Sequence, residues 1–168
     1  MKVILHDLTK EEISGSIQSS KEELVILTKK EKEPHYCIGC FGCWIKNPGE
    51  CVIKDGYEHM GEYVGNCEEF IIISKCIYGE FSPYVKTLID RSISTCHPFF
   101  TKREGMMHHR LRYDNNPKLT VYCYSEGLTE EEKRTFTNRC KAMAIDLGTK
   151  VPFIHFINGK QALGGVRI

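Results

Sequence analysis

The sequence predicts an α/β domain: an open, mostly parallel sheet with helices on both faces. Strand and helix patterns alternate five times along 168 residues, the order that builds parallel sheets through crossover helices. No internal repeat and no Pro/Gly/Ser-rich linker breaks the chain, so 1–168 reads as one domain. The run Phe70-Ile71-Ile72-Ile73 is continuously apolar and mostly β-branched, as suits a strand covered on both faces.

Composition removes several function classes. Lys plus Arg number 23 against 22 Asp plus Glu, so no overall field is available to hold a nucleic-acid backbone. The apolar runs are too short to span a bilayer. The first residues read as a strand and not as a charged-then-apolar leader, which leads to the expectation of a cytoplasmic protein. Nine cysteines are many for such a chain. In a reducing compartment, clustered ones point to metal or redox work and dispersed ones to small buried side chains. Cys37, Cys40, Cys43 and Cys51 are clustered, whereas Cys67, Cys76, Cys96, Cys123 and Cys140 are dispersed.

The elements follow in order. Residues 2–5 form the first strand candidate. Thr9 and Glu12 then have capping-box spacing for a short helix, which Gly15 weakens. The apolar run 23–28 is the second strand. Residues 33–56, rich in Cys, Gly and Pro yet carrying Phe41 and Trp44, read as an ordered loop. A short helix is expected over 57–66 and the buried strand over 69–74. Ser82-Pro83 then pairs an N-cap with proline at the first helical position, and Phe81, Val85, Leu88, Ile89 and Ile93 fall at helical spacing. Residues 96–116 read as a long, irregular, polar and aromatic insertion. A fourth strand over 119–124 precedes a second capping box, Thr129 with Glu132. Its helix carries the stripe Phe136, Cys140, Met143, Ala144 and Leu147 and stops at Gly148. A fifth strand is expected over 151–157.

In an open parallel sheet, ligands bind beyond the carboxyl ends of the strands. Three segments there could carry chemistry. The spacing Cys37-x2-Cys40-x2-Cys43-x7-Cys51 could wrap a tetrahedral zinc or an iron–sulfur cluster, with Gly39 and Gly42 permitting the tight backbone. The same thiols could instead pack the loop or cycle as a dithiol. After the third strand, Ser74, Ile77, Tyr78 and Gly79 could hold a flat ring by stacking and by backbone N–H groups, or form an ordinary turn. After the fourth, Ser125, Glu126 and Gly127 offer a second wall, or only a turn. The pair His108-His109, with Arg110 and Arg112, reads as solvated loop or interface residues, because adjacent side chains seldom converge on one ion. No Gly-rich nucleotide loop and no hydrolase triad spacing is present.

The segment Cys37-Ile38-Gly39-Cys40-Phe41-Gly42-Cys43-Trp44, with Pro48 to Asp55 behind it, resembles the Cys-rich loop of one branch of the flavodoxin-like family. That branch is grouped with the NAD(P)H-dependent FMN reductases and the iron–sulfur flavoproteins. Ile77-Tyr78-Gly79, Phe81-Ser82, Val85-Lys86 and Ile89-Asp90-Arg91 resemble the family's third loop and following helix. Gly105 to His109 with Arg112-Tyr113 resembles a further family segment.

The resemblance implies strand order 2-1-3-4-5 with FMN at the switch point. Ser74, Ile77, Tyr78 and Gly79 would line the flavin ring, and Ser125, Glu126 and Gly127 would close its other side. It also implies an oxidoreductase taking electrons from a nicotinamide or protein donor and passing them to a small quinone- or flavin-type acceptor. Such a protein would be a homodimer or homotetramer that uses the 96–116 insertion as an interface. No side chain need act as acid or base. Two alternatives stand beside it: an electron carrier with a [4Fe–4S] cluster on Cys37, Cys40, Cys43 and Cys51, and a non-enzymatic oligomer that has lost FMN. The sequence departs from the family after the first strand. There a Gly-Ser-Pro-Arg-like phosphate loop is replaced by His6-Asp7-Leu8-Thr9, whose Asp7 would repel a phosphate. Thr9, Ser14 and Ser16 are the hydroxyls nearby.

Overall fold

The computed structural model describes residues 1–14, 23–29 and 33–165; Gly15 and Ser16 lie outside these. Five parallel strands run in the order β2 (Leu24–Leu27), β1 (Lys2–His6), β3 (Glu69–Ile77), β7 (Lys118–Ser125) and β8 (Phe153–Asn158). Counted among parallel strands this is the expected 2-1-3-4-5. Chain order reverses between β1 and β3, which pair from Lys2 opposite Glu69 to His6 opposite Ile73.

Period-two alternation splits the strands between two layers. Val3, Leu5, Phe70, Ile72, Leu119, Val121 and Cys123 face one side, packed with side chains from α3 (Met60–Asn66), α4 (Pro83–Arg91) and α5 (Glu130–Leu147). Ile4, Ile71, Ile73 and Tyr124 face the other, where they meet Ile13 of the five-residue α1 (Lys10–Ser14), Leu8, and Leu163 in a 3-10 turn, Lys160–Gly165. Among the described residues, helical cover is therefore thicker on the first face than on the second. No helix among the described residues is long and apolar enough to cross a membrane.

Local signals explain the helix limits. Thr129 Oγ1 accepts from Glu132 N–H (3.2 Å) while the Glu132 carboxylate accepts from Thr129 N–H (2.9 Å), closing the capping box of α5. Gly148, at φ 68°, ends that helix in the left-handed region glycine favours. Phe136, Cys140, Met143 and Ala144 are the buried stripe, as read from spacing. Pro83 opens α4, but Ser82 caps nothing: its N–H donates to Ser74 Oγ (2.9 Å). Phe81 of the expected stripe lies in β4 (Glu80–Phe81), which pairs back on β3, and Ile93 lies in a 3-10 turn (Ser92–Thr95).

Four expectations differ from the structure. Residues 96–116 are not irregular: β5 (Cys96–Arg103) and β6 (Met106–Leu111) form an antiparallel hairpin. Its turn, Glu104-Gly105, has positive φ at both positions (49° and 80°), the geometry that matches strand twist. The expected helix 57–66 begins only at Met60, because Tyr57 N–H and the Asp55 carboxylate close a turn before it (3.2 Å). The 33–56 loop contains one helical turn, α2 (Gly42–Ile45). His108 and His109 are both half-buried, not solvated. His108 Nδ1 pairs with Asp146 Oδ1 of α5 at 3.1 Å, while the His109 ring lies between Trp44 (4.6 Å) and Phe100 (4.8 Å). The hairpin strands send these neighbouring side chains to opposite faces.

Candidate functional site

The carboxyl edge of the sheet gathers the predicted residues unequally. Between β3 and β4 the chain reverses in two residues, Tyr78 and Gly79, both with positive φ (52° and 79°). A left-handed tyrosine costs on the order of 1 kcal/mol or more. Packing does not repay it, since Tyr78 is 90 % exposed. Ile77 beside it is also exposed. Gly79 faces inward: a Cβ there would lie 2.8 Å from the Thr135 side chain of α5, so this glycine lets the helix approach. Ser74 is fully buried, and its hydroxyl donates to Lys75 O (3.0 Å) and accepts from Ser82 N–H. It therefore builds the β3–β4–α4 junction and presents nothing outward.

Because Lys75 pairs with Tyr124, the loop leaving β7 starts beside this end of β3. Glu126 and Gly127 are exposed, and open space surrounds the missing Cβ of Gly127 (φ 66°). Ser125 O accepts from Gly159 N–H (3.0 Å), which ties the loop to β8. An exposed aromatic ring and open backbone suit a flat ring.

The third contributor, beyond β1, is of another kind. Asp7 accepts from Lys75 N–H with Oδ2 (2.9 Å) and from Tyr124 Oη–H with Oδ1 (2.9 Å), and its own N–H donates to Ile73 O (3.3 Å). Burial, and then the Asp7 charge, push the Tyr124 phenol well above its ordinary range, so it stays a donor. Burial pulls His6 down, keeping it neutral; Nδ1 accepts from Leu8 N–H (3.2 Å), leaving Nε2–H for Thr28 Oγ1 (3.2 Å). At the start of α1, Thr9 N–H donates to the Glu12 carboxylate (2.8 Å) and Glu12 N–H to Thr9 Oγ1 (3.3 Å). Beyond β1, where the resemblance puts the FMN phosphate, the chain holds the Asp7 carboxylate, which does not fit a phosphate.

The four clustered thiols come together in the loop after β2. Cys37, Cys40, Cys43 and Cys51 line one cavity of about 80 Å³ with Ile38, Phe41, Trp44, Ile53, Ile93 and Arg91. Burial, and then the charges of Cys51, Cys37 and Cys40, push the Cys43 thiol up. Among the described residues no three of these sulfurs lie within 4.8 Å of one another. Thiolates around one tetrahedral zinc stand roughly 3.8 Å apart, so the thiols as they stand are not closed around a single ion.

Arg91, missed by the sequence reading as a functional anchor, holds this loop. It is fully buried and grips Asp55 through both guanidinium nitrogens (2.6 and 3.0 Å), while also donating to His35 O and Ile53 O (3.2 and 3.1 Å). The sequence marks Arg91 only as the end of the family-like segment Ile89-Asp90-Arg91; its partners lie 36 to 56 positions away along the chain. The five dispersed cysteines are buried as expected, and burial pushes the Cys67 and Cys140 thiols up to about 12.

No family model matches the chain, and no curated protein matches it by sequence. Solved structures do match its fold. The Trp repressor binding protein from Bacillus subtilis superposes with a TM-score of 0.56 at 14 % identity, over 97 % of this chain and 95 % of that one. An FMN-dependent NADH-azoreductase from Bacillus anthracis, solved in complex with FMN, gives 0.57 at 12 % identity, over 94 % and 87 %. An NAD(P)H:quinone oxidoreductase from Methanothermobacter marburgensis gives 0.53 at 13 % identity, over 95 % and 87 %. With the strand order 2-1-3-4-5 and the switch point between β1 and β3, these likenesses establish a flavodoxin-like α/β fold for this chain.

Proposed function

We propose that this chain is a flavin-dependent oxidoreductase that holds an isoalloxazine ring at the carboxyl edge of β3 and β7. Tyr78 carries this reading: an aromatic ring kept 90 % exposed in a strained left-handed conformation, beside the switch point of a nucleotide-binding type of sheet. The flavin and nicotinamide chemistry in the names of two fold neighbours supports it by analogy. A bound flavin supplies hydride-accepting chemistry, with a nicotinamide or a protein as donor and a small quinone-type molecule as acceptor. The chain's own part is geometric. Tyr78 stacks on the ring, backbone N–H groups of the Tyr78-Gly79 and Ser125-Glu126-Gly127 turns meet its polar edge, and burial of one ring face excludes water.

Tyr78→Gly tests this. Glycine accepts positive φ, so the variant should unfold at the same stability or up to about 1 kcal/mol higher. Flavin affinity, followed by quenching of flavin fluorescence, should nevertheless fall about tenfold, the worth of one stacked ring. Unchanged affinity would remove Tyr78 from the site.

A second reading has its own observation, the four thiols lining one cavity. Cys37, Cys40, Cys43 and Cys51 would hold a [4Fe–4S] cluster, which supplies one-electron transfer. Iron and acid-labile sulfide should then approach about four each per chain after anaerobic purification, and fall sharply in Cys40→Ser. Iron near zero would reject the cluster and leave the thiols as loop packing.

A further inference from the structure

We infer that the switch-point crevice selects a flavin ending in a neutral polyol, such as riboflavin, against its phosphate ester FMN, with Asp7 as the specificity-determining residue. This rests on the flavin reading above and names the ligand class it takes.

The observations concern charge and donors. In a phosphate site the loop after β1 turns backbone N–H groups and hydroxyls toward the ligand, and the helix behind adds its positive end. Among the described residues, several of the donors nearby are already engaged. Lys75 N–H and Tyr124 Oη–H both point at the Asp7 carboxylate, and the first turn of α1 bonds its own Thr9 and Glu12. Glu11 and Glu12 place two more carboxylates in that turn. Lys160, the cation that reaches across, is already paired with Glu12 at 2.7 Å. His6 is buried and neutral, and the neighbouring Lys10 and Lys75 are exposed. A phosphate dianion entering here would meet the like charges of Asp7, Glu11 and Glu12.

A polyol meets the opposite situation. Its terminal hydroxyls are donors, and a carboxylate has about four lone-pair positions. Two of these on Asp7 are used by Lys75 and Tyr124, leaving others for a ligand hydroxyl. Charge-assisted O–H···O⁻ bonds are the stronger kind. The same change that removes the anion hole creates an acceptor for alcohol groups.

The experiment is a paired titration of the intact protein with riboflavin and with FMN, at low and at high salt, read by flavin fluorescence. Riboflavin should bind at least about tenfold tighter at low salt, and the gap should narrow as salt screens the repulsion. In Asp7→Asn, FMN should gain about tenfold or more, while riboflavin, which loses a charge-assisted acceptor, should weaken. The wild-type comparison and its salt series stand even if that variant folds poorly. FMN binding as tightly as riboflavin in the wild type overturns the proposal while leaving the flavin reading intact. Binding of neither flavin overturns both.

Discussion

Arg91→Ala should cost about 3–5 kcal/mol of unfolding free energy, the largest loss expected from any single polar substitution in this chain. The guanidinium is enclosed and satisfies the Asp55 carboxylate and the carbonyls of His35 and Ile53 at once. Truncation leaves the enclosed Asp55 carboxylate without its counter-charge, held only by the His35 and Tyr57 N–H groups, and takes the donor from two part-buried carbonyls, which costs more than the pair itself is worth. The damage should centre on the loop after β2, so Cys43 and Cys51 should react with a thiol reagent much faster than in the wild type. Replacing both partners, as in Arg91→Met with Asp55→Leu, should recover much of the loss. A loss below about 1 kcal/mol would contradict the assignment of Arg91 as the anchor of the thiol loop. The same pair sets an acid limit. Burial alone would raise the Asp55 carboxyl, but Arg91 and the His35 and Tyr57 amides bring it from 3.8 down to about 2. A depressed carboxyl contributes stability above its ordinary value and loses it as pH falls through the folded one. The loop anchor should therefore weaken between about pH 4 and pH 2.

Gly61→Ala should destabilise by about 2–3 kcal/mol, against the sign that helix propensity gives. Alanine in a helix interior is favoured over glycine by about 1 kcal/mol. Yet α3 rests directly on the Ser92–Thr95 turn at this position. A Cβ on Gly61 would stand 2.0 Å from Ser94 Oγ and, less forgivingly, 2.7 and 2.8 Å from the Ser94 carbonyl carbon and the Thr95 nitrogen. The hydroxyl could turn aside, but the backbone could not, so helix and turn must separate. Gly164→Ala, where nothing lies within 4 Å of the added carbon, should leave stability within about 0.5 kcal/mol. Chemical denaturation of both variants checks the contrast, and a Gly61→Ala protein as stable as the wild type would show that the turn moves freely.

Much of this fold was legible in the sequence because its signals were local. The Thr129/Glu132 box, Gly148 and the β-branched run 70–73 each state their role within a few residues, and all three are realised. The hairpin over 96–111 was missed because its strands are polar and rest on only part of the molecule, so no clean alternation marks them. In the candidate site, Tyr78 was visible as a residue type, but its left-handed conformation was not. Ser74 was read as a ligand contact because a serine after a buried strand has the right chemistry; its engagement with Ser82 depends on how β4 folds back. Asp7 was noticed as a charge. That it ties β1 to β3 and β7 is a fact of sheet order, joining residues 68 and 117 positions apart.

The burial of five cysteines under the sheet and helices also divides the nine sulfurs by time. A thiol with its pKa held near 12 has almost no thiolate at neutral pH, and an electrophile cannot reach it inside the fold. Cys67, Cys76, Cys96, Cys123 and Cys140 therefore react only when their surroundings open, whereas Cys37 and Cys40 react at once. The chain carries an internal clock: fast labelling reports the loop, and the slow remainder reports how often each part of the core breathes.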